Sequence, residues 1–317
     1  MAMAELDSGA AVTSWNYSGE RMAVGFTDGG AEVWSKGFGN GSPALSLDFK
    51  WKAHEGSSIV KLCWGPMEFG DIVASCSTDG SVCVWEEINE NGKPKWRQCA
   101  QLAENSYCLD LKFGNCLGGL KLVTACADGY ARIYETSDCI DLSKWQLQAV
   151  VSNATDVTEK TGKCSCSGAS ISWKPPAGSI QQPLFALGYS TDVSGFSTTK
   201  IWEFAEEHRR WYPIAQLSNA DDGVGVSSIS WAPNLGRPNE LIAVASGSTV
   251  SIWDLEIGGK QGVSVQRIAE LEHSAEVWQI DWDMSGMTLA SSSSDGTVRL
   301  WQAGLDGAWR QQASLRA

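Results

Sequence analysis

Three histidines, a series of Asp-Gly pairs and ten cysteines are the residues of this 317-residue chain best suited to chemistry. A histidine can pass a proton near neutral pH, and a carboxylate beside it sets its charge. His54 and His273 each stand at a corner just ahead of an apolar run, Ile59–Trp64 in one case and Val277–Trp282 in the other. Asp79, Asp128 and Asp295 each precede a glycine, the sequence of a tight turn whose carboxylate accepts local backbone N–H groups. These spacings predict turn and corner hydrogen bonds, not acid–base pairs. His208 lies in the charged stretch Glu206-Glu207-His208-Arg209-Arg210, which reads as a solvated hairpin tip. Arg209, Arg210 and Trp211 combine basic and aromatic character, but one such cluster in a chain of formal charge -13 reads as a solvated edge and not as a nucleic-acid contact. No GxSxG, HExxH or GxxxxGK[ST] motif is present. The expectation is a protein without catalytic residues, metal or cofactor.

The cysteines point the same way. Cys63, Cys76, Cys83, Cys108 and Cys126 fall inside predicted strands, where a thiol acts as a small buried apolar group. No CxxC pair occurs, and Cys164 and Cys166 are two apart, so a strand directs them to opposite faces. Unpaired thiols imply a reducing compartment. The Asn-x-Ser/Thr matches at Asn16, Asn40 and Asn153 are then coincidental.

The elements that position these residues repeat. Six strand-like runs close at Trp15, Trp64, Phe113, Trp173, Trp231 and Trp282, and a second set closes at Trp34, Trp85, Tyr134, Trp202, Trp253 and Trp301. Steps between second-set positions are 51, 49, 68, 51 and 48 residues, so one unit carries an insertion. With Asp-Gly turns and a terminal Trp, such a period is the signature of WD-repeat propeller blades of four strands each. Short dense apolar runs, such as Ile72–Ser77, are those of strands buried on both faces. Outer strands follow at Trp51, Trp96, Trp145, Trp211 and Trp309, with Leu271 ending the fifth, which puts 15 of 16 tryptophans on repeat positions and leaves Trp278 over. Tryptophan here is architecture, not a ligand cage. The fourth unit is irregular, with a polar approach over 152–168 and a long turn over 189–199.

The reading is an all-β fold, a single six-bladed propeller over 1–317, with blades at about 11–52, 58–103, 107–151, 168–218, 225–272 and 276–316. Ten residues precede the first strand and about two follow the last, so neither end has chain to lend a strand to the other blade. Either six self-contained blades close on themselves or the circle stays open. An open circle exposes an apolar face and unpaired edges, which a partner's strands can cover. Val12, Trp15, Val33, Trp34, Val298, Leu300 and Trp309 are the candidate contacts on that edge. With 24 basic against 37 acidic side chains, the average field disfavours nucleic acid and anionic membranes. No apolar run approaches a membrane span, and the start has no signal layout, so a soluble, unsecreted protein is expected.

Several segments add a resemblance. WGPMEFGDIVASCSTDGSVCVWEE, ACADGYARIYETSDCIDLSKWQLQ, CSCSGASISWKP, SWAPNLGR and HSAEVWQIDWDMSGMTLASSSSDGTVRLW resemble the Seh-type WD-repeat nucleoporins over nearly the whole chain. These are paralogues of the COPII coat subunit Sec-thirteen, which is less like Tyr134–Gln148 and Ala232–Arg237. The resemblance implies an open six-bladed propeller completed by an α-solenoid nucleoporin of the Nup-eighty-five type. It implies a scaffold role in the Y-shaped outer-ring subcomplex of the nuclear pore at the nuclear envelope, supporting protein and mRNA transport alongside other nucleoporins. It also implies membership of a vacuolar or lysosomal coat-like assembly in nutrient signalling. A closed-ring peptide-binding adaptor is the alternative that composition and spacing leave open. The chain departs from the family at Glu5–Gly9, where a histidine is usual, and in the glycine-rich turn Asp28-Gly29-Gly30.

Overall fold

Short dense apolar runs interrupted by Asp-Gly turns produce an all-β protein in the computed structural model. The structure describes residues 7–39, 42–90, 92–104, 106–116, 119–136, 138, 141–153, 165–176, 182–191, 199–217, 225–259 and 262–316. The irregular stretches 154–164, with Cys164, and 192–198 lie outside the described residues, as does Asn40. Six antiparallel four-stranded sheets follow one another in chain order. The first is β1 (Ala10–Trp15), β2 (Arg21–Phe26), β3 (Gly30–Gly39) and β4 (Ser42–Lys52). The second is β5 (Ile59–Trp64), β6 (Ile72–Ser77), β7 (Ser81–Glu90) and β8 (Lys93–Ala103). The third is β9 (Cys108–Cys116), β10 (Gly119–Cys126), β11 (Tyr130–Thr136) and β12 (Gln146–Ser152). The fourth is β13 (Gly168–Trp173), β14 (Leu184–Ser190), β15 (Thr199–Ala205) and β16 (Arg210–Leu217). The fifth is β17 (Val226–Trp231), β18 (Glu240–Ser246), β19 (Thr249–Gly259) and β20 (Gly262–Glu272). The sixth is β21 (Val277–Trp282), β22 (Thr288–Ser293), β23 (Thr297–Ala303) and β24 (Trp309–Arg316). Among the described residues the one helical turn is a 3-10 turn at Met67–Phe69.

The chain divides into two compact units, Met1–Cys126 with Arg132–Gln148, and Ala127–Ala131 with Ala149–Ala317. In the first unit, Ala23, Val33, Ile59, Leu62, Val73 and Trp85 form the core between the first two sheets. Residues 72 and 74 of the same strand β6 point the other way, into a core with Cys63, Val82, Leu111, Leu120 and Leu122. One strand thus feeds two cores, which is why its sequence is apolar without alternation. The second unit repeats the plan. Ile242, Val244 and Trp253 pack toward Leu184, Ala186 and Ile201, while Ala243, Ala245, Val250 and Ile252 pack toward Val277, Ile280, Leu289 and Trp301. Each wholly buried valine or isoleucine contributes about 1.5–3 kcal/mol. Cys63, Cys76, Cys108 and Cys126 join these cores as free thiols. Burial pushes the Cys63 thiol up to about 12, so it stays protonated and inert.

A feature with no sequence forecast recurs in five sheets. Where the third strand meets the fourth, the register slips between Val33 and Trp34, Val84 and Trp85, Ile201 and Trp202, Ile252 and Trp253, and Leu300 and Trp301. Each slip is a β-bulge immediately before the tryptophan, a device that re-aims a side chain and increases local twist.

Candidate protein-interaction site

The residues with chemical potential are engaged in holding the sheets and the corners between them. At the Asp-Gly turns the aspartate carboxylate accepts the backbone N–H two residues on, from Ser81 to Asp79 at 2.7 Å, Tyr130 to Asp128 at 3.1 Å and Thr297 to Asp295 at 2.9 Å. The glycines between them have φ of 84°, 79° and 73°, a region that disfavours any side chain. Burial opposes the charge of Asp79, but hydrogen bonds from Ser77 and Ser81 outweigh it and hold the carboxyl well below the ordinary range. The hydroxyls of Ser293, Thr297 and Ser274 do the same for Asp295. These turns are aspartate-anchored hairpins.

The two corner histidines sit in matching relays. His54 Nε2 lies 2.8 Å from Ser75 Oγ and its Nδ1 2.9 Å from Ser81 Oγ, while the Trp85 indole donates to Ser75 Oγ at 3.1 Å. His273 Nε2 lies 2.7 Å from Ser291 Oγ, which also accepts the Trp301 indole at 3.0 Å. Its Nδ1, 3.2 Å from the Leu271 carbonyl, must carry the proton, so Nε2 of the neutral ring accepts the serine hydroxyl. Burial lowers the pKa of both rings. The third sheet replaces this relay with Glu104, a fully buried carboxylate accepting from Thr124 at 2.7 Å and Tyr134 at 3.1 Å and paired with Arg132 at 3.1 Å. The fourth uses Asn153, whose side chain is buried between the Trp202 indole and the Leu187 carbonyl. Neither Glu104 nor Asn153 was forecast as a relay residue. The legible signal for Glu104 was Tyr134 standing where other units place tryptophan. His208, by contrast, is exposed between β15 and β16, and Arg209 beside it has φ of 49°.

Neighbouring sheets are joined at their inner strands. Trp64 Nε1 donates to the Ser14 carbonyl at 2.9 Å and Trp282 Nε1 to the Ser230 carbonyl at 3.0 Å. Trp15 holds the same position in β1 and is 47% exposed. Ala10, Ala11 and Thr13 of β1 are also exposed. In the second unit, Ala243, Ala245, Val250 and Ile252 of the fifth sheet are wholly buried under the sixth. The corresponding face of the sixth presents Ala290, Ser292, Val298 and Leu300, all only half-buried. This outward face is the least covered sheet face of the second unit's repeating series.

The structure sorts the seven candidate edge residues. Trp15, Val298 and Leu300 lie on uncovered surface, and Trp34 is half-buried against Met22, Val24 and Phe26. Val33 is a correction: it is 0% exposed in the core between the first two sheets, because alternation along β3 directs it with Ala31 toward β5 and β6. Val12 packs against that same core. Trp309 is likewise turned inward, with its ring 5.6 Å from that of Trp282 in the core between the fifth and sixth sheets.

Four-stranded sheets of this order, Asp-Gly hairpins and tryptophans at the bulged third strand define a WD-repeat β-propeller protein, and the WD domain, G-beta repeat profile matches residues 46–86 and 265–302. Protein SEH1 of Arabidopsis thaliana is 42% identical over 99% of this chain and 98% of its own length. Nucleoporin SEH1 of Osmerus mordax is 33% identical over 96% of this chain and 83% of its own, and nucleoporin SEH1 of Homo sapiens 33% identical over 96% and 84%. The chain belongs to the SEH1 nucleoporin family.

Proposed function

We propose that the chain is a structural scaffold subunit of the nuclear pore complex at the nuclear envelope, acting through protein–protein contact and not through catalysis. Family membership supports the assembly. The mode of contact rests on one observation, the outward face of the sixth sheet. Its Ala290, Ser292, Val298 and Leu300 stand half-buried where the fifth sheet's equivalents are sealed. Strands from a partner laid on that face would bury it as the sixth sheet buries the fifth, the β-addition mode of recognition. The partner in this reading is an α-solenoid nucleoporin of the Nup-eighty-five type. The histidines and aspartates that first suggested chemistry have their hydrogen bonds within sheets or, for His273, between the fifth and sixth sheets, consistent with a load-carrying role.

A fluorescent fusion of the full chain, imaged in cells of its source, tests the assignment. The expected result is a nuclear rim signal that depends on the solenoid nucleoporin. A diffuse signal unaffected by removal of that nucleoporin would contradict it.

A further inference from the structure

Within the second unit, each inner strand captures the next through a serine three residues before its closing tryptophan. Counting back from the closing tryptophan of β13, Trp173, the residues three and one before it are Ser170 and Ser172. Their hydroxyls accept the backbone N–H groups of Ile229 at 2.8 Å and Trp231 at 2.9 Å, both in β17. From β17 to β21 the first contact repeats, with Ser228 Oγ accepting the N–H of Ile280 at 3.2 Å; at the second position the Ser230 carbonyl accepts the Trp282 indole at 3.0 Å, and the Trp282 N–H goes to Asp281.

On β21 the positions three and one before Trp282 are Gln279 and Asp281, and both are exposed. Asp281 engages one oxygen, which accepts the Trp282 N–H at 3.0 Å and the Ser230 hydroxyl at 3.4 Å. Its second carboxylate oxygen and the Gln279 side chain have no partner among the described residues. The last strand of the series therefore leaves the Gln279 amide and one Asp281 oxygen open to a further strand, while the other Asp281 oxygen turns back to Ser230 and Trp282.

Building on the scaffold reading, we propose that Gln279 and Asp281 are the register-setting contacts for the partner strand. They accept two backbone N–H groups two residues apart, while an indole at the end of that strand donates to the Asp281 carbonyl. Successive same-face residues of a strand lie about 6.8 Å apart, which suits an extended segment, whereas a helix keeps all but its first N–H groups internal. A carboxylate where the series has serine accepts but does not donate, and its hydrogen bonds are charge-assisted. The occupant is thus a β-strand with no proline at either position and a tryptophan closing it.

The experiment is calorimetric titration of the full chain with the N-terminal segment of the solenoid nucleoporin. Gln279→Leu with Asp281→Leu should weaken binding about tenfold or more, read at a temperature where circular dichroism shows both chains folded, because loss of the Trp282 N–H acceptor lowers the melting temperature. Asp281→Asn, which keeps an acceptor, should stay within about threefold. A proline scan of the segment, which leaves the chain itself intact, should show two sensitive positions two residues apart. Wild-type affinity in the double variant with a flat proline scan would overturn these contacts and leave the scaffold reading standing. A segment that does not bind the wild-type chain would overturn both.

Discussion

His54 and His273 show how a residue type that suggests catalysis is consumed by architecture. Each ring is buried beside a serine that also serves a tryptophan indole. Replacing His54 by alanine leaves Ser75 and Ser81 short of a partner, and a loss of about 1–3 kcal/mol in a urea unfolding titration is the expected outcome. The acid dependence follows from the lowered pKa values. Both rings hold fewer protons in the folded state than in the unfolded state, where the ordinary value is 6.5. Unfolding therefore takes up protons as pH falls below that value, and stability declines there while staying level above it. A second decline belongs to Asp79 and Asp295, whose folded pKa values are depressed below 3.8 and whose contribution is lost only as pH drops through that lower range. Melting temperatures from pH 8 to about pH 1.5 check both steps, and His54→Gln with His273→Gln should remove the first alone.

At the scale of the strand, direction decides what a substitution does. Val33→Asp places a charge in the sealed core between the first two sheets and should lower the melting temperature sharply, by several degrees or more. Leu300→Asp sits on a half-buried outward face and should leave folding nearly intact while weakening partner binding in the same titration. Equal melting temperatures for the two variants would contradict the face assignment. The strands themselves were legible, since Asp-Gly pairs and closing tryptophans mark hairpins and strand ends directly. Which face Val33 occupies was not, because the strand groups Val33 with Ala31 on one side but nothing in it says whether that side meets the second sheet or the edge. The bulges before Trp34, Trp85, Trp202, Trp253 and Trp301 were hidden for a related reason: one extra residue in a register is a property of two strands, visible in neither alone. Gln279 and Asp281 could be placed only after the contacts of Ser170, Ser172 and Ser228 gave their positions a meaning.

For the molecule as a whole, uncovered surface should be read out by amide exchange. In the free chain, β1 and β21 are expected to exchange faster than the other inner strands, and the partner segment should slow β21 selectively. Protection that appears instead in the third and fourth sheets would place the contact elsewhere. The half-covered sixth sheet also has a consequence for the cell. On the scaffold reading, the outward face of the sixth sheet is sealed by another gene's product, and the chain's abundance is tied to that product. Copies made in excess keep Val298 and Leu300 within reach of chaperones and proteases, while assembled copies hide them. On that reading, turnover trims the surplus and matches the chain's dosage to its partner's.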